Sequence, residues 1–204
     1  MAPSRDFADS ADIEQALQRV GELLAAAGEQ HAIVIIGGAA LNLLGVVTRT
    51  TRDVDILAVA RRRGARRWRL ERPPTPMPER LAAAIRTVAG DMGLADNWLN
   101  TGPALQWKQG LPRGLGTRVT WRRYAALRVG LVGRADLIRL KLYAAADDHP
   151  RGRHARDLVL LDPSDIELRA AARWVKTQDA GPQFARIVDE VVTHVGARRG
   201  PRER

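Results

Sequence analysis

The sequence predicts an α+β fold, α/β-like, with a small mixed sheet flanked by helices and a helical C-terminal half. Three observations lead there. An apolar, β-branched run from Ala32 to Ile36 reads as a buried strand and meets Gly37-Gly38, where a short helix to Leu44 begins. A second apolar run, Val54 to Val59, follows a polar turn and reads as a strand paired with the first. From Arg134 onward the chain reads as successive helices separated by loops or caps. The 204 residues fit one domain with a helical appendage, so a core over 1–133 and a helical region over 134–204 packed on it are expected.

The remaining elements follow from local pattern. Ile13, Leu17, Val20 and Leu24 recur at helical spacing, and Gly28 is suited to end that helix. Arg61 to Pro78 is basic and proline-rich and predicts a connection, with six arginines between Arg61 and Arg69 and Trp68 among them. Glu79 to Met92 is amphipathic, with Pro78 placed for its first turn. Gly93 to Gly116 reads as irregular, and Val119–Trp121 and Leu127–Val132 as short strands. Arg134 to Asp147 predicts a helix, as does a shorter stretch around His154 to Leu161. Ser164 and Glu167 form a capping-box pattern for a helix to about Thr177, and a last helix begins near Pro182 and fades into RRGPRER. No internal repeat is present.

Composition narrows the function classes. The 33 Lys and Arg against 23 Asp and Glu give a formal charge of +10, which favours a polyanionic partner, nucleic acid above all. A compositional bias toward Arg and Ala gives the same excess without a partner. There is no cysteine, which rules out disulfides and thiolate metal sites and agrees with a reducing cytoplasm. The first residues hold acids and no signal-length apolar core, and no apolar run of about 18 residues exists, so neither export nor a membrane partner is expected.

The chemistry concentrates between Ile33 and Leu57. Alternate residues of a strand share a face, so Asp53 and Asp55 project together while Val54 and Ile56 turn inward. Two neighbouring carboxylates repel unless a cation lies between them, and hard divalent ions take oxygen ligands. Gly37-Gly38 stands where strand turns to helix, and backbone N–H groups exposed there suit a phosphate. A phosphate cradle beside a carboxylate pair is equipment for nucleotidyl transfer. The four histidines show no metal-ligand spacing.

Gly37-Gly38 followed by Arg49-x-Thr51-x-Asp53-Val54-Asp55 resembles the signature of the DNA polymerase β-type nucleotidyltransferase superfamily. Asp136-Leu137-Ile138-x-x-Lys141-Leu142-x-Ala144, with His154-x-Arg156-Asp157-Leu158, resembles a segment of its AbiEii-type and MenT-type toxins and of related nucleotidyltransferase-like proteins. The resemblance covers Ala32 to Val175 and implies a nucleotidyltransferase fold. It implies that Gly37, Gly38, Arg49 and Thr51 bind the nucleotide and that Asp53 and Asp55 hold Mg²⁺ or Mn²⁺. It further implies that Lys141 and Asp157 are catalytic. The implied reaction transfers NMP from an NTP to RNA, tRNA first, in the setting of a toxin with a cognate antitoxin. A third strand carboxylate, general in the superfamily, is missing: Leu127 to Val132 holds no acid, Asp96 lies in a loop and Asp136 opens a helix.

Alternatives stay open for each feature. Arg49 binds phosphate or pairs with an acid; Lys141 is catalytic or snorkels at a core edge. Asp157 acts on substrate or forms a structural ion pair. Arg61, Arg62, Arg63, Arg66 and Arg67 form a solvated loop or an RNA-backbone clamp, with Trp68 able to stack on a base. Trp98 and Trp121 read as core anchors. Two rival functions remain: a catalytically silent fold used as a binding module, and a small-molecule (antibiotic) nucleotidyltransferase. The latter suits poorly, because a polycationic substrate wants surplus acid.

Overall fold

The computed structural model describes residues 4–64, 67–108 and 110–198. Contacts divide the chain into two compact units, Met1–Gly133 and Arg134–Arg204. The fold is mixed α/β.

The first unit is built on a six-stranded mixed sheet. Helix α1 (Ser10–Ala26) is capped by the Asp9 carboxylate, which accepts from the Ala11 and Asp12 N–H groups. Strand β1 (His31–Ile36), helix α2 (Gly37–Leu43) and strand β2 (Val54–Arg63) follow, with β1 and β2 antiparallel. Strand β3 (Arg67–Glu71), helix α3 (Glu79–Met92) and the two-residue strand β4 (Leu99–Asn100) come next. Strands β5 (Thr120–Tyr124) and β6 (Leu127–Leu131) form a hairpin whose second strand runs parallel to β1. The strand order is β3-β2-β1-β6-β5, with β4 joined in parallel to the start of β2.

Two features depart from the sequence expectation. The stretch from Arg61 is not a simple connection, because β2 continues through Arg63 and turns back as β3. Arg61 lies opposite Arg69, a like-charge pairing that costs energy unless neutralised. Glu71 supplies the counter-charge, 2.8 Å from Arg61 and 3.6 Å from Arg69. The stretch expected to be irregular, 93–116, holds β4 and a 3₁₀ turn at Gly102–Lys108, and a second 3₁₀ turn, Leu115–Thr117, begins at its end.

A bulge decides what the sheet presents. Ile33 pairs with Val59 and Val34 with Ala58, but Ile35 pairs with Ile56, so β2 carries one extra residue at this point. An extra residue exchanges the two faces of the strand beyond it. One face, bearing Arg122 and Tyr124, packs on α1 through Glu14, which takes bonds from both. On the other face the cross-strand pairs align Trp68 with Arg62, Ala32 with Arg128 and Arg128 with Arg123. That face is concave. The rings of Trp68 and Trp121, from opposite edge strands, stand only 4.7 Å apart. Gly130 leaves room on this face, since a Cβ there would collide with the Val119 side chain and meet the Trp121 ring at 3.1 Å.

The second unit is helical: α4 (Arg134–Asp147), α5 (Arg153–Leu161), α6 (Asp165–Val175) and α7 (Pro182–Ala197). Helix α4 packs against the other three and buries residues around most of its circumference, including Leu137, Ile138, Leu140 and Leu142. Ser164 and Glu167 form the reciprocal capping box that starts α6. No helix among the described residues is long and apolar enough to cross a membrane.

Candidate functional site

The first unit gathers Gly37, Gly38, Arg49, Thr51, Asp53 and Asp55 at one end of β1 and β2. Gly37 sits at φ +80°, a left-handed conformation that favours glycine. A Cβ there would also fall 2.5 Å from Asp55 Oδ2. A Cβ on Gly38 would meet Thr51 Oγ1 at 2.9 Å and Arg49 Nη2 at 3.3 Å. The glycine pair therefore has the Asp55 carboxylate on one residue and the Arg49 guanidinium and Thr51 hydroxyl on the next.

Several contacts fix this arrangement. Thr51 bridges to Phe7 through a pair of backbone hydrogen bonds, and its hydroxyl donates to the Asp53 carbonyl at 3.4 Å. Phe7 is fully buried and meets Trp98 edge-on, with ring centroids 5.5 Å apart. Asn42 is buried within α2 and accepts from the Arg49 N–H while donating to the Arg49 and Gly38 carbonyls. It clamps the loop that carries Arg49 onto the helix that follows the glycines.

Asp53 immediately precedes β2, and Asp55 is its second residue. Half-buried Asp53 and Asp55 alternate with buried Val54 and Ile56; Asp55 takes the face of β2 opposite Ile56, and Asp53 stands one residue before the strand. Because of the bulge, that face is continuous with the one bearing Arg62 and Ala60. Without the extra residue Asp55 would turn toward the helix-packed side.

Asn100, on β4, pairs directly with Asp55. Its amide donates to Asp55 Oδ1 at 3.3 Å, and its carbonyl oxygen accepts the Gly102 N–H at 2.8 Å. Its signal in the sequence was weak, because a two-residue strand is defined by its partner and not by its own pattern. Among the described residues no group of three or more His, Cys, Asp or Glu is arranged to hold a metal. The donor set is thus two carboxylates with an amide beside them. That set fits Mg²⁺ or Mn²⁺, hard ions that commonly take one or two protein carboxylates and fill the remaining positions with water and substrate phosphate.

The arginine stretch divides. Arg61, Arg62 and Arg63 end β2 and are exposed, while Arg67 opens β3. Arg66 and the tail RRGPRER beyond Arg198 lie outside the described residues. Trp68 is not an isolated platform, for its ring packs on Trp121, and the Arg128 guanidinium lies 5.9 Å from its centre. Trp98 is a fully buried anchor that donates to the Ile85 carbonyl, whereas Trp121 is half-buried.

In the second unit, Lys141 and Asp157 meet. Lys141 Nζ donates to Asp157 Oδ2 at 2.6 Å, with side-chain exposures of 7% and 3%. His154 Nδ1 lies 3.5 Å from the same ammonium. Burial pushes the His154 imidazole below its usual value, and the charges of Lys141 and Arg153 add to this against Asp157 and Asp148. The neutral imidazole therefore predominates near pH 7. Asp136, also buried, is paired with Arg139 at 2.7 Å.

No family model, no curated protein and no solved structure matches this chain.

Proposed function

We propose that this chain is a metal-dependent nucleotidyltransferase of the DNA polymerase β type, transferring NMP from an NTP to RNA, with tRNA the first substrate to test. The observation that carries the reading is the contact of Asp55 with Gly37, beside Arg49 and Thr51 at Gly38. A carboxylate, a guanidinium and a hydroxyl set against a glycine turn are groups that a triphosphate and its counter-ion can use.

Asp53 and Asp55 would hold Mg²⁺ or Mn²⁺, which when bound polarises the α-phosphate and offsets the charge of departing pyrophosphate. The chain's own groups do the rest. The glycines leave the room that Asp55, Thr51 and Arg49 occupy, and Arg49 supplies planar donors beside Gly38 for phosphate oxygens. Asn100 holds one Asp55 oxygen. An acceptor hydroxyl then bonds to the α-phosphorus, losing its proton to solvent water, as the bond to the α–β bridging oxygen breaks and pyrophosphate leaves. Catalysis in this scheme is mostly positioning and charge neutralisation. Lys141 and Asp157 enter through the sequence resemblance alone, as does the pairing with an antitoxin.

The test is incubation with total tRNA and each α-³²P-labelled NTP in Mg²⁺ or Mn²⁺. Wild type transfers label from at least one NTP, and Asp53→Asn loses at least about a hundredfold, the scale of removing one group that stabilises transition-state charge. Equal labelling by the two proteins overturns the reading.

A second reading, a silent fold serving as a binding module, draws on Asn100, a neutral amide, standing against Asp55 in the neighbouring strand. It predicts no label transfer with any NTP.

A further inference from the structure

The concave face of the sheet carries a second site, at the opposite end of β1 and β2 from the carboxylates. A cavity of about 450 Å³ opens there, lined by residues that include Arg61, Arg62, Trp68, Arg123 and Arg128. Its floor is made of small side chains, Ala32 on β1 and Ala60 on β2. Larger residues at these two positions would fill it.

The alignment of the guanidinium groups is set by the strand pairing. Arg62 lies opposite Trp68, and Arg128 lies between Ala32 and Arg123, so three arginines from three strands point to one side. Trp68 closes the wall, backed by Trp121 and faced by Arg128. The nearby acids are engaged: Glu71 by Arg61 and Arg69, and Glu29 by His31 at 2.8 Å. The lining contains no acid, so the cavity is strongly cationic.

We propose that this cavity binds a nucleotide unit of a single RNA strand, with phosphates on Arg62, Arg123 and Arg128 and a base against Trp68. The chemistry is that of a nucleotide, since guanidinium forks take phosphate oxygens and the exposed part of the half-buried Trp68 indole offers a π surface on which any base can stack. The spread of the arginines from β2 across β1 to β6 and β5 favours a strand over one free nucleotide. Arg62, Arg123 and Arg128 come from three strands, and together they offer more guanidinium groups than one phosphate needs. The proposal rests on the reading above only in taking RNA as the polyanion.

The test is fluorescence anisotropy of labelled single-stranded 12-mer oligoribonucleotides, oligo(U) and oligo(A), from 50 to 200 mM NaCl. Wild type is compared with Arg62→Ala/Arg128→Ala, with Arg62→Lys/Arg128→Lys, and with Arg19→Ala/Arg86→Ala, which removes equal charge from exposed positions of α1 and α3. The cavity double-alanine protein weakens at least about tenfold, and its salt slope falls by roughly 1.4, about 0.7 for each lost phosphate contact. The lysine pair restores most of the affinity, and the helix pair binds like wild type. Thermal melts confirm that each protein is folded. Asp53→Asn binds RNA as wild type does even where label transfer is lost, which separates failure of this site from failure of the catalytic reading. Equal weakening by the cavity and helix pairs reduces the effect to net charge and overturns the proposal. AMP bound as tightly as the 12-mer overturns the assignment to a strand.

Discussion

The first unit and the helical unit each bring together two charged residues that the sequence marked as catalytic, and they do so in opposite ways. Asp53 and Asp55 are like charges, half-buried and two positions apart at the start of β2. Lys141 and Asp157 are opposite charges, buried and bonded to each other at 2.6 Å. A like-charge pair at a surface destabilises its own fold slightly and is relieved by a cation. A buried opposite pair completes itself, and removing either member strands the other in a low dielectric. The contrast predicts that a cation acts on the first pair and that loss of either partner acts on the second.

The comparison is broken most sharply at Lys141. Lys141→Ala should cost about 3–5 kcal/mol, the usual penalty for orphaning a buried ion. Lys141→Met/Asp157→Leu should recover much of that loss. Urea unfolding of the three proteins measures it, and a loss below about 1 kcal/mol would mean that the pair is not structural.

Gly37→Ala comes next. It combines a left-handed φ with a Cβ against Asp55, and should cost about 1–3 kcal/mol while displacing the carboxylate. Gly38→Ala should cost less, because its nearest neighbours are a hydroxyl and the end of a flexible arginine. Paired denaturation curves rank the two.

His154 gives a smaller effect with a definite sign. Its pKa is lowered in the fold by burial and then by the charge of Lys141. The unfolded chain therefore binds the proton more readily. The associated stability is present above pH 6.5, the unfolded value, and declines as pH falls below it. Glu167, lowered despite burial by the Ser164 N–H and Arg134, adds a further loss lower down, as pH falls through the carboxylate range. Melting temperatures from pH 7.5 to 5.5 should drop less in His154→Gln than in wild type. At the other member of the comparison, Asp53→Asn should change stability by less than about 0.5 kcal/mol, as at surface positions generally.

Local signals were legible and long-range ones were not. The bounds of α3 and α4, and the Ser164–Glu167 capping box, depend on residues a few positions apart and were readable from the sequence alone. The grouping of Gly37, Gly38, Arg49, Thr51 and Asp55 was readable because one strand–helix–strand segment carries all five. The arginine hairpin was hidden by composition, although alternation of Trp68 and Leu70 with Arg67, Arg69 and Glu71 carries a strand signal. Arg123 and Arg128 joined the cavity only through β5 and β6, more than fifty residues further on. The bulge at Val34/Ile35 left no local mark, yet it decides which face Asp55 takes.

Mn²⁺ binding, followed by electron paramagnetic resonance with and without NTP, tests most directly whether Asp53 and Asp55 act as one cation site. Wild type should bind the ion, and both Asp53→Asn and Asp55→Asn should weaken binding at least about tenfold while staying folded. Identical Mn²⁺ affinity in all three proteins, or none in wild type even with NTP, would contradict the account.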